Sequence, residues 1–192
     1  MIEIIKRLSK DKRLHAVREL LIFAVILFTI HYLYIWWSNA HFYPLASAVE
    51  SLFIKASNML FNQGQYMLNL LKVKHYIVGQ TYYITSLSGE LTWLEVSPGC
   101  TSLKQWVHWI FLMLLYPGPW RHKLWYIPAG IIVIHFINLV RITGLGITLK
   151  YWPVYFDFAH DYIFKTMFYG VIFLMWVIWV EKFRKHSQKL VR

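Results

Sequence analysis

Residues 20–37 read LLIFAVILFTIHYLYIWW, a run without a single Lys, Arg, Asp or Glu. As a helix it rises about 27 Å, close to the ~30 Å hydrocarbon core of a bilayer. Residues 1–19 before it carry Lys6, Arg7, Lys10, Lys12, Arg13 and Arg18. No small-residue cleavage site follows Trp36, Trp37 and Ser38, so the run reads as a retained spanning helix and not as a cleaved leader. Composition extends this reading to the whole chain: 58% of 192 residues are hydrophobic, 19% are aromatic and mean hydropathy is +0.43. Such values exclude an ordinary soluble domain. The net charge of +11 would suggest nucleic acid in a soluble protein, but here the cations gather beside apolar runs. They read as topology and as contact with anionic membrane lipids, and no nucleic-acid partner is expected.

Beyond this helix the pattern changes. Leu45, Val49, Leu52, Phe53, Ala56, Met59, Leu60, Met67, Leu68 and Leu71 recur at helical spacing among polar residues, which predicts an amphipathic helix within 40–75, broken near Gly64. Residues 75–96 alternate in a β-like way, punctuated by Gly79 and Ser88-Gly89, and predict a short hairpin or extended stretch. Apolar runs then cover 106–116, 124–140 and 162–180. The first of these spans only if its polar start, 102–105, joins it, since a span takes ~20 residues. Pro117-Gly118-Pro119 ends it, Pro128 kinks the next run without ending it, and 141–160 reads as a mixed loop. The predicted fold is an all-α membrane protein, a small bundle of about four transmembrane helices with an outer-face amphipathic helix and a short β-like segment.

Topology follows from charge. Basic residues stand in the N-terminal segment, at Arg121, His122 and Lys123, and in the tail at Lys182, Arg184, Lys185, Lys189 and Arg192. Four spans put all three groups in the cytoplasm, whereas three would split the two basic ends across the bilayer. The chain therefore divides into a basic cytoplasmic start (1–19), a first span (20–37), an outer-face segment (38–101), a three-helix core (102–180) and a cytoplasmic tail (181–192).

That topology puts three chemically able residues at the outer boundary: Cys100, the chain's one cysteine; Arg141, ending the third run; and His160, opening the fourth. A lone cysteine is commonly an inert packing residue. Cys100, however, sits in Ser97-Pro98-Gly99-Cys100-Thr101-Ser102, just before a helix that Thr101 or Ser102 would cap, where free backbone N–H groups favour the reactive thiolate. Arginine at a helix end often snorkels, and a boundary histidine often only hydrogen-bonds, so each gains meaning from the others' company. His108 and His135, inside apolar runs, are rival ionisable groups or packing residues. No metal-ligand spacing and no phosphate-binding glycine loop stands out, so neither a metal nor a cofactor is expected.

The order Pro98-Gly99-Cys100-Thr101-Ser102-Leu103 before an apolar helix, Asn138-Leu139-Val140-Arg141 ending the next, and His160 before the last resembles the exosortase and archaeosortase family over roughly residues 90–182. Family members usually have glycine where Ser102 stands and have more spans than this chain. The resemblance implies a membrane-embedded cysteine transpeptidase in the cell (inner) membrane with its site on the outer face. Its partners would be exported proteins bearing a C-terminal sorting tail. Cys100 would be the nucleophile, His160 the proton carrier and Arg141 the oxyanion-stabilising or positioning group. A non-enzymatic membrane scaffold is the alternative, and a small transporter relaying through His108 and His135 the third.

Overall fold

The computed structural model describes residues 12–184. The basic residues Lys6, Arg7, Lys10, Lys185, Lys189 and Arg192 lie outside them. Helix α1 (Lys12–Asn39) leads into α2 (Ala46–Leu70), then strands β1 (His75–Val78), β2 (Thr81–Thr85) and β3 (Leu91–Glu95). A short 3-10 turn, Pro98–Cys100, opens α3 (Leu103–Leu115), and α4 (Trp120–Tyr151) follows. The last helix, α5, runs over Pro153–Phe183 with π-helical turns at Ala159–Phe164 and Trp179–Arg184.

Three helices are long and apolar enough to cross a membrane: Ala16–Asn39 of α1, all of α4 and α5. The protein is thus a helical membrane protein with a small sheet. Helix α3 joins the bundle against α1 and α4 but has 13 residues, a rise of about 20 Å, shorter than the hydrocarbon core. Its C-terminal end stops inside the protein. Lys123, almost wholly buried, donates to the carbonyls of Leu114 and Tyr116 at 3.0 and 2.7 Å and so satisfies helix-end acceptors that water does not reach.

Two apolar clusters divide the molecule, and α4 contributes to both. One holds Phe23, Trp109, Leu112, Tyr126, Ile134, Phe168 and Trp176 from α1, α3, α4 and α5. In lipid this cluster gains little from burying apolar surface and depends on close packing. The other holds Leu60, Leu68, Tyr82, Ile84, Leu94, Ile142 and Leu145 from α2, the sheet and the later turns of α4. The sheet is an antiparallel meander in the order β1-β2-β3, with Tyr82 opposite Leu94 and Ile84 opposite Thr92.

Two expectations are corrected. The amphipathic helix is not broken at Gly64 but runs through it, because that position is a contact: a Cβ there would stand 2.8 Å from the Tyr82 hydroxyl. Residues 141–151 are not loop but the end of α4, and the chain turns only at Trp152-Pro153. Gly144 looks like punctuation in the sequence, yet it admits the Phe164 ring, which a Cβ would meet at 2.4 Å. Pro128 sits inside α4 without ending it, as expected.

Gly130 is the tightest of these contacts. A Cβ would lie 2.1 Å from Nε1 of Trp109, whose ring is fully buried and donates to the Ile127 carbonyl at 3.2 Å. With no space for the indole to retreat, Gly130→Ala is expected to destabilise the bundle by about 2–3 kcal/mol. The check is thermal unfolding of purified protein in detergent, and an unchanged midpoint would mean that α3 and α4 do not meet here.

Candidate active site

The sequence's three candidates meet beside the second cluster, against Leu94, Ile142 and Leu145. Strand β3 ends at Glu95, and Ser97-Pro98-Gly99-Cys100 makes one 3-10 turn before α3. Proline at the first position of that turn fixes φ and lacks only an N–H the turn would not use. Ser57 of α2 reaches the Val96 carbonyl at 2.7 Å, and Asn138 of α4, 1% exposed, donates to the Cys100 carbonyl at 3.0 Å. The cysteine's backbone is therefore held from two sides. The expected side-chain cap is absent: Ser102 occupies the N-cap position without a capping bond, and the Thr101 hydroxyl donates to the Pro98 carbonyl at 2.8 Å.

The Cys100 thiol donates to the Glu95 carbonyl at 3.8 Å, which leaves the Ser97 hydroxyl, 3.6 Å away, to donate to the sulfur. Arg141 lies one helical turn beyond Asn138 on the same face of α4. Its Nη2 donates to Nε2 of His160 at 2.8 Å. A guanidinium can only donate, so Nε2 accepts and the imidazole proton is on Nδ1. From there it donates to Oδ1 of Asp161 at 2.9 Å, and Lys165 donates to the same oxygen at 2.6 Å. The Phe156 ring stacks on the imidazole, centroids 6.1 Å apart. Arg141 also keeps Nε buried and without a partner among the described residues, a donor aimed at nothing in the protein itself.

Cys100, Arg141 and His160 line one cavity of about 190 Å³, closed by Trp93, Leu94, Glu95 and Phe156. Residues 100, 141 and 160 come from three separate elements. The rival histidines are elsewhere. His108 bonds the Lys104 carbonyl through Nδ1 at 2.6 Å and lines a different cavity between α1, α3 and α5, while His135 bonds Gln63 of α2 at 2.7 Å. Neither lines the cavity that holds Cys100. Among the described residues no group of three or more His, Cys, Asp or Glu could hold a metal.

Several site residues carried no role in the sequence. Asp161 adjoins His160, so its pairing had a visible signal; Asn138, an amide inside an apolar run, had another. Glu95 takes part through its carbonyl, which no side-chain pattern reports.

The profile of a family described as transmembrane exosortase (EpsH) matches residues 40–179 of the chain. Comparison with curated proteins and with solved structures finds no match.

Proposed function

The chain belongs to the transmembrane exosortase family, and we propose that it is a cysteine peptidase and transpeptidase that cleaves C-terminal sorting tails of exported proteins through a thioester. The observation that carries this reading is the single cavity lined by Cys100, Arg141 and His160, with the sulfur and the Arg–His pair on its walls.

The chemistry runs as follows. Arg141 turns its guanidinium from His160 toward the scissile carbonyl oxygen, using the fork that a lysine lacks, and so frees Nε2 of His160. That nitrogen takes the Cys100 thiol proton as the sulfur attacks the carbonyl carbon, and the C=O π electrons move to the oxygen that Arg141 now faces. His160 then gives the proton to the departing amide nitrogen. Asp161 holds the ring by Nδ1 and favours the transient imidazolium. The C–N bond breaks, the tail leaves as an amine, and the acyl group stays on sulfur. Water, an amine or a hydroxyl then attacks the thioester, and His160 takes the proton of this second nucleophile.

The site's depth agrees with an outer-face location. Arg141 stands about 32 Å along α4 from Trp120, one hydrocarbon thickness from the basic turn at 121–123 that the positive-inside rule puts in the cytoplasm. Cys100 is the chain's one cysteine, so a membrane-impermeant maleimide reports on it directly. It is expected to label wild type and not Cys100→Ala in intact spheroplasts, and incubation with the tailed partner should yield an adduct on Cys100 that hydroxylamine releases. Labelling only after lysis would move the site to the inner face. Tail cleavage that never forms the adduct, even when acceptor is withheld, would remove the thioester route.

A further inference from the structure

Strand β3 is the last in the order β1-β2-β3, so one of its edges has no strand beside it among the described residues. In antiparallel pairing, residues alternate between bonding the neighbour strand with both backbone groups and turning both away. The Ser86 N–H donates to the Glu90 carbonyl at 2.8 Å and the Val96 N–H to the Gln80 carbonyl at 2.9 Å. Positions 90 and 96 thus face β2, and by the same period so do Thr92 and Leu94. The backbone groups of Leu91, Trp93 and Glu95 face the free edge.

At that edge the Glu95 carbonyl accepts the thiol of Cys100. The sulfur therefore occupies the place of a donor on the next strand, in the path that an added backbone would follow. The side chains of Leu91 and Trp93, standing on the open face of the same strand, are 49% and 65% exposed, and β3 carries no Lys or Pro of the kind that blunts an edge. Trp93, Leu94 and Glu95 also form a wall of the cavity that holds Cys100, Arg141 and His160.

We propose that the substrate binds by strand addition: an extended segment of the sorting tail pairs with the free edge of β3 through Leu91 and Trp93 and so brings its scissile carbonyl to Cys100. The proposal rests on the cysteine-peptidase reading and specifies how its substrate is held. Affinity comes from main-chain bonds, which tolerate varied sequence, while alternate side chains meet Trp93 and the cavity.

Alanyl chloromethyl ketones test this without knowledge of the natural tail, since they carry a backbone and almost no side chain. Alkylation of Cys100 in the full chain, in lipid nanodiscs, is followed by mass spectrometry. Acetyl-tetra-alanyl chloromethyl ketone is expected to react about tenfold or more faster than the acetyl-alanyl compound, the worth of one or two backbone bonds. N-methylation at every second amide should erase the gain and methylation at the intervening amides should spare it. Trp93→Pro removes an edge N–H that β2 does not use and should erase the gain too, whereas Trp93→Ala keeps most of it. In each variant the gain is read as the ratio of the two compounds' rates on the same protein, so any change in the intrinsic reactivity of Cys100 cancels. Absence of a length effect, or of the period-two pattern in the wild-type protein, overturns strand addition whatever Trp93→Pro does. Neither result touches the peptidase reading, which falls instead if Cys100→Ala still cleaves a tailed protein.

Discussion

Cys100→Ala is expected to accumulate in the membrane at the wild-type level and to leave the tailed partner uncleaved. The two halves of that result have separate causes. The side chain lies on a 3-10 turn, half-buried, between the margin of the second apolar cluster and the wall of a cavity, so truncating it removes one atom's packing at that margin and costs about 1 kcal/mol. The backbone bonds that hold the turn, from Asn138 to the Cys100 carbonyl and from the Cys100 N–H to the Ser97 carbonyl, do not involve the sulfur. Loss of the nucleophile, by contrast, removes the covalent step, a loss of about a thousandfold or more. Cys100→Ser sharpens the test. A hydroxyl can keep the partners Glu95 and Ser97 but offers no accessible anion, so it should be nearly as inactive. Immunoblotting the partner for its tail, beside a blot for the enzyme itself, checks both. Normal cleavage in Cys100→Ala would make the non-enzymatic scaffold the better account.

Arg141→Lys carries the second large effect, because it keeps the charge and loses the geometry. The guanidinium bonds His160 through Nη2 and keeps a buried Nε in reserve, two directions from one plane. A lysine has one nitrogen on a flexible stem and cannot hold the imidazole and then an oxyanion from the same fixed position. Removing an oxyanion donor elsewhere costs 10²–10³ in rate, so cleavage should fall by about a hundredfold at an unchanged protein level. His135→Gln is the internal control on the same helix. Its ring bonds Gln63 away from the cavity, and the variant should retain much of its activity. If Arg141→Lys cleaves at the wild-type rate, the guanidinium is a boundary residue that happens to lie beside His160.

Much of this fold was legible because its signals are local. An apolar run such as 20–37 declares a span by its own sum, and the alternation in 75–96 declares a hairpin or extended stretch, which the structure makes a three-stranded meander. The breaks were misread where a residue's reason lay far along the chain. Gly64 and Gly144 look like punctuation, yet each is a contact surface for a ring, Tyr82 and Phe164, that lies in another element. Helix α3 does end at the Pro117-Gly118-Pro119 that the sequence shows, but that Lys123, from the following helix, bonds its terminal carbonyls was not legible.

The amino-acid sequence by itself determined the solvent of this protein, its helical class, the apolar run inside α1 and the identities of three candidate groups. These depend on hydrophobicity, charge and residue type summed over neighbours, and no partner is needed to read them. The tertiary structure decided what those groups can do together. It placed residues 100, 141 and 160 around one cavity, bonded Arg141 to Nε2 of His160 and so put the imidazole proton on Nδ1 toward Asp161, and set the sulfur at the open edge of β3. Each of these depends on the register and crossing of elements distant in sequence, set by packing against Trp109, Tyr82 and Phe164, which no local pattern encodes.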